Sequence, residues 1–176
     1  TLTMDTTAVI VDAPAVWNGS SLPQAYTGHG VVVGVMDVGF DVTNPNFYDT
    51  TLTATRIRRF WDQLSPDSIG SGMYVGADYR TPEEILAYAH SHDGLIETHG
   101  THTLGIAAGT GFDTPYRGMA YDADICIVSN AVNTDLPLIP EELLYKYTSA
   151  TDVLGFKYIF DYAQEVGKPC VISFSE

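Results

Sequence analysis

His99-Gly100-Thr101-His102-Thr103-Leu104-Gly105-Ile106-Ala107-Ala108-Gly109 puts a histidine at the mouth of a small, apolar run. Residues as small as Gly100, Gly105, Ala107, Ala108 and Gly109 let a helix approach a sheet closely, so the stretch reads as a buried helix opened by His99. Sixty-two positions earlier, Asp37 ends the run Gly30-Val31-Val32-Val33-Gly34-Val35-Met36. That run is apolar without alternation, the pattern of a strand covered on both faces in a parallel sheet. In an open α/β sheet, reactive groups gather at the carboxyl ends of strands, which is where Asp37 stands. A carboxylate there can accept the Nδ1–H of an imidazole, and His99 is the obvious imidazole. Taken singly, each has a plainer reading, since strand-end aspartates cap turns and histidines pack in cores.

Working outward, residues 1–29 read as an irregular arm, with a turn at Asn18-Gly19-Ser20-Ser21. Residues 54–62 predict a second strand with a more polar face, nearer a sheet edge, and the Gly-rich stretch from Ile69 to Tyr79 a hairpin or loop. Thr81-Pro82-Glu83-Glu84 is a capping box with proline in the first turn, opening a helix that ends near Ser91. Residues 124–128 predict a third strand. A long helix spans about Ser149–Val166, with Val153, Phe156, Phe160 and Ala163 as its apolar face and Gly167-Lys168-Pro169 as its stop. Tyr145, Tyr147 and Tyr158 read as packing around that helix. Cys170–Ser173 is the last strand. Strand–helix alternation predicts a three-layer α/β/α domain with a mainly parallel sheet. Ending so soon after an apolar strand implies an unpaired edge, and the expectation is a fragment of a larger fold.

The chain has 176 residues, 45% hydrophobic and 17% charged, enough for one folded domain. Twenty-two acids against eight bases give a net charge of −14, which argues against nucleic acid or an anionic membrane surface as partner. No apolar run reaches the length of a membrane span, and the chain opens at Thr1 with no basic n-region, so a signal peptide is not expected within it. Cys126 and Cys170 lie in β-like runs without metal-ligand spacing and read as buried free thiols.

Val35-Met36-Asp37-Val38-Gly39-Phe40-Asp41 and the stretch from His99 to Gly109 resemble the aspartate and histidine motifs of the subtilisin-like serine proteases, in that family's order. Thr27-Gly28-His29-Gly30-Val31 is similar to the lead-in to the family's Asp strand, and Asn44-Pro45-Asn46-Phe47 to the turn after it. Gly118-Met119-Ala120-Tyr121-Asp122-Ala123 is similar to the segment after the His helix, and Val171-Ile172-Ser173-Phe174-Ser175 to the strand bordering the substrate cleft. The resemblance makes residues 1–176 the N-terminal part of a subtilisin-like peptidase domain, with about 50–95 inserted relative to the minimal core.

On that resemblance, Asp37 orients His99, and His99 serves as general base and then general acid in peptide-bond hydrolysis. His102 is expected to be structural, packed in its helix. Ser173, Phe174, Ser175 and Glu176 are expected to line the cleft and pair with an extended polypeptide substrate. The family's strand order puts the two cysteine strands on either side of the Asp37 strand, so the thiols are not bridged. A secreted or cell-surface, bacterial-type extracytoplasmic location is implied.

The chain also departs from the family pattern. None of its ten serines lies in a Gly-Thr-Ser-Met-Ala-like context, and the family's oxyanion asparagine would follow Glu176. The chain alone is therefore expected to be inactive, with the C-terminal remainder of its own precursor as partner. Asn46 stands where many relatives have a calcium-binding aspartate, so no cofactor is expected and calcium is not supported. Two other readings stay open. One is a non-catalytic subtilase-like scaffold that has lost its nucleophile. The other, less favoured, is a metal site drawn from His90, His92, Asp93, His99 and His102.

Overall fold

Five strands and five α-helices build the computed structural model, which describes residues 4–70, 72–93 and 98–175. In chain order they are α1 (Met4–Ile10), α2 (Ala13–Asn18), β1 (Val32–Asp37), β2 (Ile57–Asp62), β3 (Ala77–Tyr79), α3 (Pro82–Tyr88), α4 (His99–Ala108), β4 (Asp124–Ser129), α5 (Ser149–Glu165) and β5 (Cys170–Phe174). The sheet order is β3-β2-β4-β1-β5. β1 pairs in parallel with β4 and β5, β2 in parallel with β4, and only β3 runs antiparallel, against β2. The sheet is thus mainly parallel, as the sequence predicts.

All six residues of β1 are buried, and alternation divides them between two faces. Val33 and Val35 join a cluster with Ile85 of α3 and Leu104 and Ala108 of α4. Val32 and Met36 join another with Ile159, Tyr162 and Ala163 of α5. Helices therefore cover the sheet from both sides, which is the three-layer α/β/α arrangement.

Local chemistry explains most element boundaries. Thr81 Oγ1 accepts from Glu84 N, and the Glu84 carboxylate accepts from Thr81 N, so the capping box forms. The α3 helix stops at Tyr88, three residues before Ser91, because Ala89 turns to φ +68°. Residues 1–29 are less irregular than predicted. Two short helices form there, separated by Asp12 in the left-handed region, and Trp17 Nε1 fastens them to Met119 O at 2.9 Å. Within 50–95, β2 and β3 are integral strands of the sheet.

The sequence reading of α5 is half right: Ala163 is buried and Phe156 packs against the core, but Val153 and Phe160 do not face the sheet. Val153 is 65% exposed and Phe160 53%, whereas Thr151, Gly155, Ile159, Tyr162 and Ala163 face the sheet. A Cβ on Gly155 would come within 2.5 Å of Met36 Cε. The position packed most tightly is thus the smallest, and a stripe read from large apolar residues misses it. Tyr158 donates to Asp78 Oδ1 and Tyr147 to the carbonyl of Gln63, but Tyr145 points to solvent.

Cys126 and Cys170 are unbridged. They sit on β4 and β5, on either side of β1, so the expected topology separates them. Among the described residues no helix is long and apolar enough to cross a membrane.

Candidate active site

Asp37 is the last residue of β1 and is fully buried. His99 is the first residue of α4. Oδ1 of Asp37 lies 2.7 Å from Nδ1 of His99 and also accepts the Val38 N–H at 2.7 Å. An ionised carboxylate only accepts, so Nδ1 is the donor and Nε2 is left as the acceptor. The ring itself is half exposed (58%) at the carboxyl end of the sheet, while its partner is sealed beneath it. This geometry can orient an imidazole and stabilise it once it takes a proton through Nε2.

The turn after Asp37 holds that aim. Gly39 has φ +75°, a conformation disfavoured for residues with a Cβ. Its carbonyl accepts from Thr101 N and Thr101 Oγ1, both at 3.0 Å, and Val38 O accepts from Gly100 N at 2.6 Å. The first turn of α4 is thereby tied to the strand end. Gly100 must be small, because a Cβ there would lie 2.7 Å from Phe40 Cζ. The Gly-Thr pair after His99 is thus explained by contact.

Asp37 Oδ2 and both polar atoms of the Asn130 side chain are buried with no hydrogen-bond partner among the described residues. Asn130 N donates to Asp37 O at 2.9 Å, so these groups share the carboxyl end of β1 and β4.

Two buried carboxylates behind the turn escaped the sequence reading of the site. Asp62, at the end of β2, accepts from Leu64 N, Tyr88 Oη and His92 N. Burial pushes its carboxyl up to about 6. Asp93 accepts from Gly39 N and from Ser91 Oγ, and burial raises its carboxyl too. From sequence alone Asp93 reads only as a candidate metal ligand. Among the described residues no group of three or more His, Cys, Asp or Glu side chains could hold a metal ion. His102 is exposed and not packed in its helix, because α4 turns Leu104 and Ala108 inward and His102 lies off that stripe.

Asn46 is occupied with structure. Its Oδ1 accepts from Phe112 N, and its carbonyl accepts from Thr110 N and from the Arg56 guanidinium. Arg56 is buried and also donates to the carbonyls of Tyr48, Ala108 and Ala123. Ser173 and Phe174 lie on β5, whose outer edge is free among the described residues, and Ser175 N donates to Met36 O. Glu176 lies outside the described residues.

The subtilase family (peptidase S8) model matches residues 28–151, more than half of the chain and both members of the Asp37–His99 pair. The chain belongs to the subtilase family. An intracellular serine protease of Paenibacillus polymyxa is 29% identical over 119 residues, covering 68% of this chain and 27% of the relative. The structure of the CspB protease of Clostridium perfringens superposes with a TM-score of 0.63 at 27% identity, covering 93% of this chain and 32% of that one. This subtilase chain therefore spans about a third or less of the relatives it matches. The expectation of a secreted or cell-surface location is overturned. The curated relative is an intracellular protease, which points away from an extracytoplasmic site.

Proposed function

We propose that this chain supplies the aspartate and histidine of a serine endopeptidase triad, and that residues 1–176 are the N-terminal part of its peptidase domain. The contact between Asp37 Oδ1 and His99 Nδ1, 2.7 Å in length, carries the reading. In the proposed reaction, a serine hydroxyl attacks the scissile carbonyl carbon and gives its proton to His99 Nε2. Asp37 stabilises the imidazolium through the Nδ1–H. The tetrahedral intermediate collapses, the C–N bond breaks, and His99 returns the proton to the leaving amine. Water then hydrolyses the acyl-enzyme with His99 again as base.

The serine and the oxyanion donor would come from polypeptide beyond these residues, the C-terminal remainder of the same precursor. The edge of β5, unpaired among the described residues and with Val171 and Phe174 exposed beside it, supports such a partner. The same edge at Ser173–Ser175 would pair with an extended peptide substrate. The acidic surface supports a reading without nucleic acid. No metal enters the proposed chemistry. At Asn46 a calcium ion would compete with the Arg56 guanidinium for the same carbonyl, and like charges repel there.

Fluorophosphonate labelling of the natural protein tests this. Labelling of a serine outside residues 1–176, together with hydrolysis of a casein substrate, is expected, and both should be lost in His99→Ala. Full-length protein that neither labels nor cleaves would point instead to a scaffold that has lost its nucleophile.

A further inference from the structure

The turn that carries Asp37 is gripped from two sides. Gly100 and Thr101 of α4 hold its carbonyls, as described above. The segment Ser91–Asp93 holds its amides. Phe40 N donates to Ser91 Oγ at 2.8 Å, Ser91 N donates back to Phe40 O at 2.9 Å, and Gly39 N donates to Asp93 Oδ2. Ser91 Oγ in turn donates to Asp93 Oδ1, and Ser129 Oγ approaches Asp93 Oδ2 at 3.5 Å. The next residue back, His92, is pinned by its N–H to Asp62 at 2.7 Å.

Asp93 is only 7% exposed, and among the described residues no basic side chain hydrogen-bonds to it, His90 acting on it only through space. Burying an unpaired carboxylate is costly. A neutral acceptor would serve the Gly39 N–H, the Ser91 hydroxyl and the nearby Ser129 hydroxyl at less desolvation cost, but would hold them less firmly. A charge-assisted bond is about twice as strong as a neutral one and shorter. It fixes the Gly39 peptide, two residues from Asp37, where φ is +75°.

We propose that Asp93 is a positioning residue for the Asp37–His99 pair: by holding the Gly39 N–H it fixes the turn that aims Asp37 Oδ1 at His99 Nδ1. Asp93 does not touch the imidazole and is not itself a catalytic residue. This inference rests on the reading of Asp37 and His99 proposed above, and its test separates the two.

The readout is the ring tautomer of His99. The imidazole 15N shifts of the full chain labelled at histidine distinguish the Nδ1–H form from the Nε2–H form, with His99→Gln identifying the resonances. Unmodified protein is expected to hold His99 as Nδ1–H. Asp37→Asn abolishes that preference. Asp93→Ala, with unchanged far-ultraviolet circular dichroism, shifts the population toward Nε2–H. Asp93→Asn keeps the volume and a weaker acceptor, and gives a smaller shift in the same direction. If Asp93→Ala does not fold, Asp93→Asn decides alone. A folded Asp93 variant with a lower unfolding midpoint and an unchanged His99 tautomer would make Asp93 merely structural and overturn the inference, provided Asp37→Asn does move the tautomer. If Asp37→Asn leaves it unmoved, the pair itself is misread and both readings fall.

Discussion

Oδ1 of Asp37 is shared between the His99 Nδ1–H and the Val38 N–H, each at 2.7 Å. The carboxylate is thus fixed by its own backbone before it orients the imidazole. Replacing Asp37 with Asn preserves the shape but not the charge, and the amide can present N–H where an acceptor is needed. On the proposed triad, Asp37→Asn in the full-length protein is expected to lower kcat by about 10⁴ with little change in KM. Steady-state cleavage of a chromogenic peptide checks this.

Gly100 faces the Phe40 ring, and a methyl at that position would sit 2.7 Å from Cζ. Phe40 is fully buried and cannot swing aside. Gly100→Ala is expected to cost about 1–3 kcal/mol, read as a lower midpoint in urea unfolding. It is also expected to displace the first turn of α4 and with it His99.

Asp62 carries a pH dependence with a defined sign. Burial raises its carboxyl in the folded protein to about 6, from the ordinary aspartate value of 3.8. Between those values the folded state binds the proton more tightly than the unfolded one. Its contribution to stability is therefore fully present below about pH 4 and lost as pH rises through 6. The loss is at most about 3 kcal/mol. Asp62→Asn removes this titration. The stability difference between the unmodified chain and the variant, from urea unfolding at pH 4 to 7, should move in the variant's favour as pH rises, and a flat difference contradicts the assignment.

Arg56 joins four main-chain carbonyls, those of Asn46, Tyr48, Ala108 and Ala123. Burial lowers the pKa of its guanidinium to about 10, so it stays charged at neutral pH. Arg56→Met strands buried acceptors and is expected to cost about 3 kcal/mol or more. Arg56→Lys should recover only a minor part, because a single ammonium cannot reach four carbonyls in a fork. Chemical denaturation of the three proteins compares them.

Much of the fold was legible because the relevant signals are local. The unbroken apolar run of β1 announces a strand covered on both faces, and the Thr81–Glu84 capping box announces the start of α3. The face of α5 was legible only in part, at Phe156 and Ala163. Gly155 turns toward Met36 because the sheet comes close there, and a helical pattern scored by hydrophobicity assigns that face to Val153 and Phe160 instead. His102 was misjudged for a related reason, since the inward stripe of α4 is set by Leu104 and Ala108 against β1.

By itself, the sequence determined the family and the two residues at the centre of the candidate site, because an aspartate ending a buried strand and a histidine opening a small-residue helix are each written within a dozen positions. Only the tertiary structure decided what holds them. Asp93 and Ser91 hold the Asp37 turn, and Asp62 holds His92 between them, through hydrogen bonds between segments 30 or more residues apart. Such contacts depend on how the strand ends and loops converge in space, which no local pattern of residue types encodes.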